Sequence, residues 1–576
     1  MKSKIIVALA CLGLMLAIGT GCMTFFPLAS TPDEKLYING HIYTGNPSVP
    51  WAQALAVRDG VFTYVGTTEG ALARRWALDR KGTDTKIVDL GGKTLIPGLY
   101  DSHIHPISAG EGLLYKCKFP QSASLDEILA AVKTFAATAE PGAWITGGRW
   151  SPALLNRLDR RQLDKVSMGH PVVLHDFSNH NVWANTRAME AAGITQETAK
   201  AYGKLVQRNA RGEMTGVLIE KAVELVANKI PARTQAEMDK SLLRALRELH
   251  QYGIIGIKDS YAGRAELLAY NRLDVQNALT AHVAGVLSWD KGPANETLTQ
   301  RKRRILGIRT LTSPHVKTDF AKISLDGIPP TKTAAMIDPY IPTAEGNIGS
   351  LTMTKEDFMR DVAWLDAQGF SVKVHAVGDR AARICLDAFE AAQKANGPGR
   401  RHEVAHACII APEDMARFAS LDVIPDLSPV FWYPGPLFDG LVGLIGEERT
   451  RNFCPVADFM KTGAFPTHGT DWPVAETVNP WVAIEAFVTR ENPHGLEPGR
   501  AAAPAQKISL EQALTLATIN GARAQGIEET SGSIEVGKTA DFLVLDQDIF
   551  SVAPHLISDT KVLTTYFEGR LVYQGQ

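Results

Sequence analysis

Cysteine is scarce in this chain, and the scarcity is informative. Only six occur in 576 residues: Cys11 and Cys22 near the start, then Cys117, Cys385, Cys408 and Cys454, widely scattered with no CxxC pair. That spacing excludes a disulfide-framed scaffold and a zinc ribbon. Net charge is equally scant, formally −2 with 60 basic and 62 acidic side chains, so there is no electrostatic case for nucleic acid. Apolar residues make up 45% and charged ones 21%, which excludes a disordered chain. What is left is an ordinary globular protein, long enough for more than one domain.

The start of the chain reads as a targeting element. Lys2 and Lys4 precede an uncharged stretch from Ile5 to Pro32, whose apolar core ends near Ile18 and gives way to Gly19-Thr20-Gly21-Cys22. This is the layout of a secretory signal peptide, assigned to residues 1–30. Cys22 after Gly21 is similar to a bacterial lipobox, with Gly19 where a Leu is usual. Lipidation of Cys22 and cleavage further on, near Ala29, therefore both stay open, with an uncleaved membrane anchor as a third alternative. Each predicts an exported protein, periplasmic or lipid-anchored at a bacterial envelope.

Short strand-like runs separated by Asn39-Gly40, Asp59-Gly60 and Gly91-Gly92 predict β-hairpins over 34–93. A similar set returns in 506–576, after a helix, and the two ends are expected to pair into one small β-sandwich. Between them, 94–505 alternates strands and helices. Thr234-Gln235-Ala236-Glu237 is a capping box that opens one helix, and Thr354 opens another. Strands counted at 94–99, 254–258, 281–286, 319–324, 370–375, 402–406, 422–427 and 464–470 predict an α/β fold, a (β/α)8 barrel with an insertion over 106–250.

Chemistry on such a barrel sits at the C-terminal ends of its strands. The apolar run Leu95-Ile96-Pro97-Gly98-Leu99 delivers His103 and His105 one residue apart, and alternating strand side chains put both imidazoles on one face. Lys322 falls in strand four, His375 ends strand five, His406 ends strand six and Asp471 ends strand eight. Neutral imidazoles and an anionic oxygen suit a divalent metal, with zinc expected. A lysine ligates only as its carbamate, a two-oxygen anion able to bridge two metals, so one or two ions per chain are expected. For Lys322 the alternative is an ion pair with a carboxylate such as Asp326, and for Lys258 an ion pair with Asp259. Asp471 is the candidate proton shuttle as well as a ligand.

Taken in order, Leu95 to Pro106, Lys322-Ile323-Ser324-Leu325-Asp326-Gly327, Val374-His375-Ala376-Val377-Gly378-Asp379-Arg380-Ala381, Gly469-Thr470-Asp471-Trp472-Pro473-Val474 and Gly532 to Asp541 resemble the third amidohydrolase family, which includes N-substituted formamide deformylases. The resemblance covers nearly the whole mature chain. It implies a metal-dependent hydrolase of C–N bonds with His103, His105, Lys322, His375, His406 and Asp471 as ligands. It also implies that His180, within His175 to Asn185, reaches the mouth of the site as a second catalytic residue and steadies an oxyanion, with a plain surface histidine as the alternative. Two departures stand out. The family's usual Glu-His-Ala-Gln is Ala405-His406-Ala407-Cys408 here, and the loop after Gly327 reads Ile328-Pro329-Pro330-Thr331-Lys332-Thr333. Both leave the ligand set intact and change what surrounds it.

Around that set, His468 reads as a core or supporting histidine, Asp101 as orienting the HxH turn, and Asp379 as a helix cap, with holding His375 or meeting substrate as its alternatives. Trp150, Trp432 and Trp472 are candidates for an apolar pocket or for plain packing, and Arg149 and Arg490 for carboxylate recognition or plain solvated charge. The reading is an exported hydrolase of amide, formamide or related C–N bonds acting through a metal-activated hydroxide. Its rivals are a heterocycle deaminase or cyclic amidohydrolase on the same site, and a non-catalytic, metal-binding regulatory protein. The expected partners are a small-molecule substrate, a membrane where Cys22 is lipidated, and, left open, further copies of the chain.

Overall fold

In a computed structural model of the protein, residues 34–79, 85–120, 122–176, 181–290, 292–293, 295–341, 346–431 and 433–575 are described. The leader with Cys22, the His180 segment and Trp432 lie outside them.

Eight largely buried segments form the barrel strands, both of their faces covered, one by helices and one by each other. They are β1 (Leu99–Ile104), β2 (Ile254–Ala262), β3 (His282–Ser288), β4 (Val316–Ser324), β5 (Ser371–His375), β6 (Glu403–Ala405), β7 (Ile424–Leu427) and β8 (Thr467–His468), neighbours in chain order. All adjacent pairs from β1 to β8 are parallel. The barrel closes where β8 meets β1. Just past β8 the Asp471 N–H donates to the His103 carbonyl at 2.7 Å, and Thr470 donates from N–H and Oγ1 to the Asp101 carboxylate at 3.1 and 2.5 Å.

The helices between strands follow from their caps and apolar stripes. Helix Gln235–Gln251 carries the Thr234/Glu237 capping box and buries Met238, Leu242, Leu246 and Leu249 against the barrel. Gly253 ends it with φ +83° and turns the chain straight into β2. Lys355–Ala367, capped by the Thr354 side chain, and Asp379–Asn396 flank β5 in the same way.

One strand departs from the sequence expectation. Residues 94–99 are not the first barrel strand: Thr94–Pro97 belongs to the small β-domain, where it lies between His41–Tyr43 and Phe542–Leu545. Pro97-Gly98 divides one apolar run between two sheets, and the barrel strand starts at Leu99. The small domain is a six-stranded and a four-stranded sheet drawn from both chain ends, packed around Tyr37, Phe62, Leu95 and Phe542. Within 106–250 a separate six-stranded sheet has its own core. Trp150 is buried in that core, its Nε1–H donating to the Leu174 carbonyl at 2.9 Å, so it lines no pocket.

A disulfide joins Cys408, two residues after His406, to Cys454. A pairing across 46 residues leaves no spacing signature, unlike a CxxC. Among the described residues no helix is long and apolar enough to cross a membrane.

Candidate metal centre

The two histidines of the HxH turn are held from behind. Asp101, buried, accepts from the His103 N–H at 3.0 Å and ties the turn to Thr470 on the far side of the seam. His103 Nδ1 lies 2.9 Å from Asp426 Oδ2, and His105 Nδ1 lies 3.9 Å from Asp259 Oδ1. Each ring therefore turns its Nε2 inward, where the Asp471 carboxylate waits: Oδ1 is 3.1 Å from His105 Nε2 and 3.7 Å from His103 Nε2.

Two further imidazoles complete the cluster. The His406 ring centroid is 4.7 Å from that of His103 and 4.8 Å from that of His375. His375 Nε2 lies 3.3 Å from the Gly327 carbonyl, so that nitrogen is the donor and Nδ1 is left for the site. His406 and Asp471 both sit at positive φ, +62° and +58°, a left-handed backbone that non-glycine residues rarely adopt and that clusters at functional sites. One ligand atom each from His103, His406 and Asp471 lies within 4.8 Å of the others, all three residues buried.

The electrostatics keep the His103, His406 and His375 rings neutral, the form that ligates metals. Burial, then the neighbouring Lys322 and Lys373 amines in their charged form, hold His103 well below the usual histidine range. Burial and the adjacent His103 and His375 do the same to His406. Burial brings His375 down to about 4. The donor set, three neutral imidazoles with a carboxylate beside them, fits a borderline metal such as zinc.

Lys322 points into the same cluster from β4, fully buried, with Nζ 3.4 Å from His103 Nε2. Asp326 is not its partner. That carboxylate accepts from the Ala335, Val377 and Gly378 N–H groups at 2.9, 3.0 and 2.9 Å, bracing the loop after His375. Among the described residues no carboxylate pairs with Lys322, and burial, aided by Lys373, brings its amine down to about 7. Lys258 is likewise not paired with Asp259: it meets Glu403 across the barrel and donates to the Ala524 carbonyl at 2.8 Å.

The other singled-out residues have quieter places. His468 is a buried, neutral ring beside Phe487, brought to about 4 by burial. Asp379 accepts from the Ile337 and Arg380 N–H groups at the start of its helix. Arg490 is neither solvated nor facing a substrate. It is buried and donates to the Ala502, Phe453 and Cys454 carbonyls, pinning the disulfide loop. Trp472 follows Asp471 and is buried, its carbonyl accepting from the His105 N–H at 2.9 Å. His180 lies outside the described residues, and Arg149 sits in strand Ile145–Trp150 of the insertion.

Sequence reasoning passed over Asp426, Lys373 and Glu403, and named Asp259 only as a partner for Lys258, not as the carboxylate behind His105. The available signal was a charge inside an otherwise apolar strand, as in Val372-Lys373-Val374 and Ile424-Pro425-Asp426-Leu427. Such a charge stays buried only when it is paired.

A family model described as the amidohydrolase family matches residues 86–573. The chain belongs to that family. This amidohydrolase is 29% identical over 560 residues to "Protein LONG AFTER FAR-RED 3" of Arabidopsis thaliana, covering 95% of this chain and 93% of that one. It is 27% identical over 559 residues to an N-substituted formamide deformylase of Arthrobacter pascens, covering 94% and 98%. Its fold is similar to the crystal structure of an uncharacterized metal-dependent hydrolase from Pyrococcus furiosus, with a TM-score of 0.71, 25% identity, and 89% and 99% of the two chains covered. The amidohydrolase is thus a hydrolytic enzyme of a metal-dependent family, with its candidate ligands on the catalytic rim of the barrel.

Proposed function

We propose that this amidohydrolase cleaves amide, formamide or related C–N bonds of small molecules, exported from the cell and using one or two divalent metals, zinc first among them. The observation that carries the reading is the convergence of His103, His406 and Asp471 ligand atoms within 4.8 Å, buried, with His105, His375 and Lys322 around them. A metal held there supplies Lewis acidity, polarising the scissile carbonyl and activating a water at neutral pH. The residues do the rest. Asp471 Oδ1, near two imidazole Nε2 atoms, is placed to take the proton of the attacking water and return it to the leaving nitrogen. Lys322, held as a buried amine near neutrality, suits capture of carbon dioxide: its nitrogen bonds the carbon, one proton leaves, and an anionic carbamate faces the histidines.

The substrate class draws support from the Arthrobacter pascens deformylase, related over almost the full length of both chains. Export draws support from the leader composition and from the Cys408–Cys454 disulfide, which persists in oxidising compartments. The test is metal content per chain, paired with turnover of N-formyl and N-acyl amines before and after chelation. Chelator-sensitive release of formate or carboxylate is the expected result. Ammonia from amino-heterocycles with no amide turnover would replace this reading with deamination, and a chain that binds no metal and turns nothing over would retire it.

A further inference from the structure

Beneath the metal ligands, fully buried charges alternate in sign through the barrel. Lys258 on β2 meets Glu403 on β6; Glu403 Oε2 accepts from Lys373 Nζ on β5 at 3.0 Å; Lys373 Nζ lies 2.8 Å from Asp426 Oδ2 on β7; and that same oxygen is 2.9 Å from His103 Nδ1. Lys373 donates also to the Ser102 carbonyl at 2.7 Å, and Thr467 Oγ1 lies 3.3 Å from Asp426 Oδ1. None of the four charged residues has measurable exposure.

The position of Asp426 matters as much as its contacts. In the register of β6 and β7, Asp426 lies directly beside Ala405. Ala405 immediately precedes the ligand candidate His406 and has only a methyl group to offer. Adjacent strands are separated by about 4.8 Å, and paired residues of parallel strands face the same side. A carboxylate on β7 at this level therefore reaches the space that a carboxylate at 405 would have reached from β6.

We infer that Asp426 is the positioning carboxylate of the site: it fixes His103 as the Nδ1–H tautomer, so that Nε2 is the metal-binding atom, from the strand next to the one where Ala405 offers none. Lys373, Glu403 and Lys258 form its base. A carboxylate held against an ammonium can only accept, so the imidazole must donate from Nδ1. Burial works against the Lys373 ammonium, but the Asp426 and Glu403 carboxylates outweigh it and lift its pKa above the ordinary lysine range. Asp426 is a positioning residue, since it acts on the metal only through His103.

The inference rests on the metal reading above, and a titration separates the two. The full chain, stripped by chelation, is titrated with Zn²⁺ against a chromophoric competing chelator. Loss of a partner behind a metal-ligating histidine costs roughly 10- to 100-fold in affinity, so Asp426→Ala is expected to bind zinc weaker by that factor. Ala405→Glu added to Asp426→Ala is expected to recover at least tenfold of the loss, about the lower bound of that effect; a packing defect would not be mended from the neighbouring strand. Should Asp426→Ala fail to fold with Lys373 left half-paired, Asp426→Ala/Lys373→Met removes the charge pair together and should show the same weakening. Wild-type affinity in a folded Asp426→Ala chain, or no recovery with Ala405→Glu, would overturn the inference. A wild-type chain that takes up no zinc would overturn the metal reading and this one with it.

Discussion

The amide of Asp471 donates to the carbonyl of His103 at 2.7 Å, across the seam where the last barrel strand meets the first. Two candidate ligands separated by most of the chain are thereby bonded backbone to backbone. Closing the barrel and assembling the site are one event, which makes the seam the natural place to disturb function.

Asp471→Asn keeps the size and the backbone bond but removes the basic oxygen. We expect the variant to retain metal and melt near wild type while kcat falls by about 10²- to 10⁴-fold, the usual worth of a positioned acid–base group. Metal stoichiometry measured beside kcat decides it; full turnover would remove Asp471 from the shuttle role.

Gly469 is required by proximity. A Cβ there would stand 2.4 Å from the His103 Cβ and 2.7 Å from its nitrogen, closer than atoms approach. Gly469→Ala must push β1 and β8 apart, with an expected cost of about 1–3 kcal/mol, typical of overpacking. Chemical denaturation reads the stability, and weaker zinc binding is expected in the same variant.

His315 bridges barrel and β-domain, Nε2 at 3.0 Å from Glu568 and Nδ1 at 2.6 Å from Asp274. The Glu568 hydrogen bond, against burial and with Asp274 assisting, raises its pKa to about 9 from the ordinary 6.5. The folded state then holds a proton that the unfolded state releases, so this contribution is complete below pH 6.5 and fades as pH rises through about 9. Denaturation midpoints across that window should fall with pH in the wild type and flatten in His315→Gln, with metal content unchanged in both.

Breaking the Cys408–Cys454 bridge by Cys454→Ser should cost about 2–4 kcal/mol, the usual effect of closing a loop of this order. The bridge is anchored two residues from His406. Zinc affinity should therefore fall in the variant, and in wild type treated with a reductant; a variant unchanged in both stability and affinity would show that Arg490 and the backbone bond from the Cys454 N–H to the Cys408 carbonyl hold the loop without the bridge.

Much of the architecture was legible because its signals are local. Capping boxes, glycine stops and short apolar runs of strand length recur in chain order, and their alternation implies the barrel without any knowledge of distant contacts. The one misplaced strand failed for a local reason too: Leu95 to Leu99 reads as one apolar run, and its residue types do not say that the two sides of Pro97-Gly98 join different sheets. The HxH spacing likewise carries its own geometry, since alternation alone puts His103 and His105 on one side.

The sequence by itself thus determined the fold class, the order of the strands and the residue types offered at their ends, because period, caps and turns act over a few residues. Tertiary structure decided the partners. That Lys322 faces His103 and ion-pairs with no carboxylate among the described residues, that Lys258 answers to Glu403, and that Asp426 stands behind His103 depend on strand register and barrel closure. Those contacts join residues 145 and 323 positions apart. No local pattern encodes such a pairing, because a buried charge is stabilised by whichever opposite charge the closed barrel sets within reach.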